Sequence, residues 1–217
     1  MSLSNLYRWF DRRCRSYDMR VADLYKNRTS YSAIEFRALS ETLLSDIWQT
    51  WCLFSRILIL RSVRGTIALD SSIVSGRRGD NSWRRICYEG SNAARNRRIT
   101  STGHNRFLIR NEITWGDVGQ FISAVQYLAP ANSMRLLTAY GLPFDGIKHM
   151  QKVRNACAHK NVETLGDIQL LKMTYDLSSI KCPTHVMWAN KRGAGELAIE
   201  LWIRQISTIA KHATLSS

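Results

Sequence analysis

Residues 33–62 read AIEFRALSETLLSDIWQTWCLFSRILILRS, and their spacing decides the fold class. Leu39, Leu43, Ile47, Trp51, Phe54 and Leu58 recur at three and four, which places them on one face of a long amphipathic helix. Upstream, a first helix is expected over about Leu6 to Lys26, and the two should pack as an antiparallel pair. The intervening Asn27-Arg-Thr-Ser30 offers Asn27 as a terminator, with Ser30 or Ser32 as the next N-cap. The whole chain holds only three prolines, Pro130, Pro143 and Pro183, so long segments run uninterrupted and the expected fold is all-α.

Downstream, Thr114-Trp-Gly-Asp117 has capping-box spacing, and Val118, Phe121, Ile122, Val125 and Leu128 mark one face of a short helix ending at Pro130. A helix over about Asn132 to Tyr140 should close on Gly141 and Pro143, and another should span Phe144 to His159. Weaker periodicity runs from Glu163 to Tyr175, and a terminal helix over about Ala194 to Lys211 completes a bundle. The expected architecture is thus a single helical domain over residues 1–217. It is interrupted between the second long helix and the later short ones by a stretch, about 64–114, where helical periodicity fades.

That stretch is rich in arginine. Between Gly76 and Arg110 there are nine Arg, no Lys, and only Asp80 and Glu89 in opposition. Trp83, Tyr88 and Phe107 are interleaved, a mixture suited to base stacking plus phosphate contact. Arg77, Arg78, Arg84, Arg85, Arg95, Arg97 and Arg98 are therefore candidate RNA contacts, the alternative being a solvated basic loop. The excess is global: across 217 residues, 31 Lys plus Arg face 17 Asp plus Glu, for a net charge of +14. Arginine outnumbers lysine 23 to 8, and the guanidinium fork matches phosphate oxygens bidentately, so nucleic acid leads the expected partners.

Other classes fit poorly. Leu43 to Leu60 is broken by Asp46, Gln49 and Arg56, short of the roughly 18 uncharged residues a bilayer span needs, so no membrane partner is expected. The first residues carry Arg8, Asp11, Arg12 and Arg13 where a secretory signal would be apolar. Five scattered Cys without a C-x-x-C pair argue for reduced thiols in a cytoplasm. No phosphate loop, dinucleotide turn or nucleophile elbow is present. Cys157 and His159 diverge by about 200° on a helix and have no second ligand pair, so neither metal nor cofactor is expected. His149 is expected at solvent or the bundle edge, and the tryptophans, including Trp48, Trp51, Trp115 and Trp202, as core or interface anchors.

The chemistry concentrates in Lys152-Val-Arg-Asn-Ala-Cys-Ala-His-Lys160, where polar residues close an otherwise apolar-faced helix. Imidazole moves protons near neutral pH and guanidinium holds the charge of a phosphoryl transition state. Asn155 and His159, four apart, share a face, whereas Arg154 and His159, five apart, diverge by about 140°. Either the helix frays at His159 or a second copy brings its own segment close, with small Ala156 and Ala158 permitting the approach. The alternative is that Asn155 and His159 only decorate a helix end and Arg154 makes a surface ion pair.

Arg154-Asn155-Ala-Cys-Ala-His159 resembles the signature of HEPN-domain ribonucleases: Arg, four to six residues, then His, usually with a polar residue directly after the Arg. The likeness covers these six residues directly and about half the chain through the pattern of a long helical pair followed by shorter helices. The Arg-rich stretch has no counterpart in that pattern. The resemblance implies a HEPN-type bundle that forms a homodimer, with metal-independent RNA cleavage leaving 2′,3′-cyclic phosphate ends. It implies catalytic roles for His159 as acid or base, Arg154 as charge stabiliser and Asn155 as an orienting group, with Lys152 and Lys160 near phosphate. It further implies a toxin or effector of a bacterial defence or toxin-antitoxin system, restrained by an antitoxin or sensor subunit. The competing expectation is a noncatalytic RNA-binding or protein-interaction subunit on the same bundle.

Overall fold

A computed structural model describes residues 2–215. Among them lie eight α-helices and one two-stranded hairpin: α1 (Leu3–Lys26), α2 (Ala33–Arg64), β1 (Thr66–Ile67), β2 (Ile73–Val74), α3 (Trp83–Ala94), α4 (Val118–Leu128), α5 (Ser133–Tyr140), α6 (Gly146–His159), α7 (Val162–Gln169) and α8 (Ala198–Ala213). The all-α helical bundle is as expected from the 3.6-residue periodicity. The described residues divide into two compact units, the first comprising residues 2–11, 51–143 and 208–215, the second residues 12–50 and 144–207.

In the first unit the core is aromatic. Phe10 packs on Phe54 with centroids 4.5 Å apart, Trp51 stacks on Tyr140 at 5.3 Å, and Phe121 stacks on Tyr140 at 3.8 Å. Each buried polar tip is satisfied: Trp51 Nε1 donates to the Gly116 carbonyl at 3.0 Å, and the hydroxyls of Ser55 and Tyr140 lie 2.7 Å apart. The hairpin pairs Thr66 with Val74 and Ile67 with Ile73. It is closed by Gly76, where a Cβ would stand 2.4 Å from the Arg64 carbonyl oxygen, so only glycine allows the strand exit to lie on the end of α2.

The stretch without visible helical periodicity contains α3. Ser82 caps it by accepting from the Arg85 amide, and Ile86, Cys87, Tyr88, Glu89, Gly90 and Ser91 are buried. Only part of this buried set is apolar, which is why the period is faint in the sequence. A carboxylate sits inside because Arg77 and Arg85 neutralise it, at 2.7 and 2.5 Å. On α4, the cap also differs from expectation: Asp117 itself accepts from the Gln120 amide, at 3.0 Å, and Thr114 supplies only a turn carbonyl to the Asp117 N–H.

In the second unit α1 and α2 run antiparallel, since Tyr17 bonds Thr50 while Arg20, one turn further along α1, bonds Asp46, one turn earlier on α2. Ser32 is the N-cap of α2 and exchanges bonds with Glu35 in a capping box. Trp188 lies against Tyr25 and Phe36 and donates to Ser40 at 2.9 Å. His149 is not at solvent: half-buried, it meets the Tyr175 hydroxyl at 2.9 Å, and that oxygen in turn accepts from Trp202 Nε1 at 2.7 Å. Burial, ahead of nearby lysines, lowers the His149 pKa from its ordinary value. The tryptophans Trp48, Trp51, Trp115 and Trp202 are all core residues.

Two helix boundaries moved for visible reasons. The Glu163 to Tyr175 segment is α7 followed by a tighter turn over Leu170–Met173, because Tyr175 leaves helical geometry to bridge Lys191. The last helix starts at Ala198, not Ala194, because Gly193 and Gly195 adopt φ of +77° and +64°. By length and composition alone α2 could cross a bilayer, and 61% of the window that qualifies is buried inside the protein.

Candidate functional site at the end of helix α6

α6 turns Ile147, Met150, Val153 and Ala156 into the core of the second unit, a spacing of three that fixes which face remains outside. Arg154, Asn155 and His159 are on what is left. Arg154 and Asn155 are half-buried and His159 is exposed. The helix does not fray before His159: it ends there, and Lys160 takes a left-handed conformation at φ 44°, ψ 35°, its N–H bonding the Ala156 carbonyl at 3.2 Å. Of the two ways to join Arg154 with His159, fraying is therefore removed, and the divergence of about 140° persists along a regular helix.

A non-glycine residue in this region costs about 1 kcal/mol, and here the strain falls on the residue directly after the histidine. Lys160 Nζ reaches Glu41 on α2 at 3.6 Å, and Lys152 lies 4.0 Å from Asp167 on α7. Both lysines thus have acidic neighbours and are only loosely held. Arg154 makes a single bond, from Nη1 to Asn155 Oδ1 at 3.3 Å. Asn155 accordingly meets the arginine and not His159, whose side chain makes no hydrogen bond with any other described residue.

Arg154 lines an open cavity of about 630 Å³ between α2 and α6. Glu41, Asp46 and Gln49 stand on the α2 side, with Cys157 and Ala158 beside the arginine. The two carboxylates are already occupied, Glu41 by Arg37 at 3.0 Å and Asp46 by Arg20 at 2.8 Å. Arg154 therefore faces an open groove with no carboxylate of its own, a state fit for an incoming anion. Cys157 takes no part in such chemistry, since burial, then the Glu41 charge, pushes its thiol up to about 12 and keeps it protonated at neutral pH. Among the described residues no group of three or more His, Cys, Asp or Glu is placed to hold a metal ion.

The arginines of the middle stretch divide into two sets. Arg77 and Arg85 are tied to Glu89, whose side chain is only 6% exposed. Arg78, Arg84, Arg95, Arg97 and Arg98 have no carboxylate partner among the described residues, although Arg84 lies over the Trp83 ring and Arg95 donates to two main-chain carbonyls. Tyr88 and Phe107 are both 8% exposed and packed edge to face, so neither offers a ring to a base. Sequence reading had no signal for this division, because nothing marks Glu89 as the residue that two arginines share.

No protein-family model matches the chain, and no curated protein or solved structure shows significant similarity to it. What the fold defines is an all-α helical bundle.

Proposed function

We propose that this protein is a metal-independent endoribonuclease of the HEPN type, acting in the cytoplasm as a homodimer. The observation that supports it is the end of α6: an exposed, unengaged imidazole at His159 and, five residues earlier, a guanidinium at an open groove. Because one helix separates these two groups, the reading requires Arg154 of one copy to meet His159 of another.

In that arrangement the ribose 2′-oxygen attacks its own phosphorus, and the bond to the 5′-oxygen breaks. One proton leaves the 2′-oxygen and one is delivered to the 5′-oxygen. At each shared site the His159 imidazole takes the proton from the 2′-oxygen and, now protonated, gives it to the departing 5′-oxygen. Arg154 holds the charge that grows on the non-bridging oxygens, and Asn155 fixes the guanidinium through its Oδ1. The products are a 2′,3′-cyclic phosphate and a 5′-hydroxyl. A toxin or effector of this kind is held silent by a second component, an antitoxin or sensor subunit.

The test is incubation of purified protein with total RNA in EDTA, followed by end-group analysis. The wild type is expected to leave cyclic-phosphate ends, and H159A to lose about 10²–10⁴-fold in rate, the contribution of a positioned acid or base. Because His159 is exposed, H159A should keep its stability within about 0.5 kcal/mol. Equal cleavage by H159A would refute the reading, and no cleavage by the wild type would leave a noncatalytic RNA-binding or protein-interaction subunit.

A further inference from the structure

We infer that the arginine-lined cavity at the C-terminal end of α3 is a binding site for the phosphates of a nucleic-acid strand, and that it reads backbone charge without reading bases. The cavity, about 520 Å³, is lined by Asn92, Arg95, Arg97, Arg110 and Asn111 over a floor of Tyr88 and Phe107. Three guanidiniums and two amides face it, and no carboxylate does.

The geometry is built, not incidental. α3 ends in a Schellman turn: the Arg97 N–H bonds the Asn92 carbonyl at 2.8 Å and the Asn96 N–H bonds the Ala93 carbonyl at 3.1 Å, with Asn96 at φ 52°. That turn sets Arg95 and Arg97 on either side of one left-handed residue. Arg95 is then fixed from below, its Nη1 and Nη2 donating to the carbonyls of Asn111 and Glu112 at 2.7 and 2.9 Å. Those bonds also hold the segment that carries Arg110 against the end of α3.

A helix C-terminus favours one nearby cation. Three exceed that need, and the acids that could neutralise them are spent elsewhere. Glu89 is closed by Arg77 and Arg85, and the Glu112 carboxylate, 5% exposed, is held by Arg56 through two bonds of 2.7 Å. The side chains of Arg97 and Arg110 have no hydrogen-bond or ion-pair partner among the described residues. Free guanidinium forks beside amide donors match phosphodiester oxygens. Since Tyr88 and Phe107 are buried, no ring is open for stacking, so the site is blind to base identity.

The site stands independently of the cleavage reading. Binding is measured in the H159A background by fluorescence anisotropy, with short U-only and A-only RNA strands over a range of salt. R97Q/R110Q, which spares the structural Arg95, is expected to weaken both strands about tenfold near physiological salt and to flatten the log–log salt slope by about 1.4. R8Q/R12Q, the same charge loss on exposed positions of α1, should change affinity less than about threefold. Equal losses in both variants, no loss in R97Q/R110Q, or loss for one base only would overturn the site. So would protection of the cavity by inorganic phosphate without strand binding, which would assign it to a small anion. Because binding is read in the H159A background, its outcome does not depend on cleavage, so that a failure of the site and a failure of the nuclease reading are separable.

Discussion

The end of α6 and the start of α3 both carry arginine beside polar residues, and the structure uses them in opposite ways. At α3, Arg77 and Arg85 are folded onto a carboxylate that is 6% exposed, and the three charges together fill a place where apolar side chains would ordinarily go. At α6, Arg154 bonds an amide oxygen and shares its groove with two carboxylates already paired to other arginines, and the His159 side chain is exposed. The difference is one glutamate. A guanidinium that shares a buried carboxylate belongs to the architecture, and one that faces an open groove is available to a ligand.

This contrast can be broken by substitution. E89Q leaves two guanidiniums, 28% and 22% exposed, without a counter-charge. Full burial of such a broken pair costs about 3–5 kcal/mol, and partial exposure here reduces the expected loss to about 2 kcal/mol. Chemical denaturation of E89Q beside H159A checks it: a large shift for the first and nearly none for the second is expected, and a neutral E89Q would show that the buried triad does not hold the first unit together. A smaller effect sharpens the α6 end. K160G relieves the left-handed strain and should raise stability by about 1 kcal/mol. If the lysine also touches phosphate, the same variant loses cleavage rate while gaining stability, a split that a purely structural residue would not produce.

Much of the bundle was legible because apolar residues at three and four report burial, as in α4, α6 and α2 from Leu43 onward, although Leu39 of the same α2 stripe is 42% exposed. α3 was not, because its inward face is Ile86, Cys87, Glu89, Gly90 and Ser91, and a paired carboxylate reads in sequence as an exposed one. Gly90 fits there because a Cβ would come within 3.2 Å of Leu128 and Trp115, so the helices approach on a residue that periodicity scores as a breaker. The Arg154 and His159 pair was visible from its spacing, as was the fact that a straight helix parts them. Invisible were the partners: that Asn155 would turn to Arg154, that Glu41 would draw Lys160, and that Arg110 would share a cavity with Arg95 and Arg97. The last two depend on segments apart in the chain, and the first on a side-chain rotamer that spacing does not fix.

The central claim is that one catalytic site is assembled from Arg154 of one copy and His159 of another, and complementation tests it most directly. R154A and H159A are purified separately, shown to be inactive, mixed, allowed to exchange subunits, and assayed on RNA in EDTA. Half of the resulting dimers pair unlike copies, and each of those holds one intact site of two, so about a quarter of wild-type activity should return. Activity that stays at the level of the separate variants would contradict the shared site, and with it the account of what the end of α6 is for.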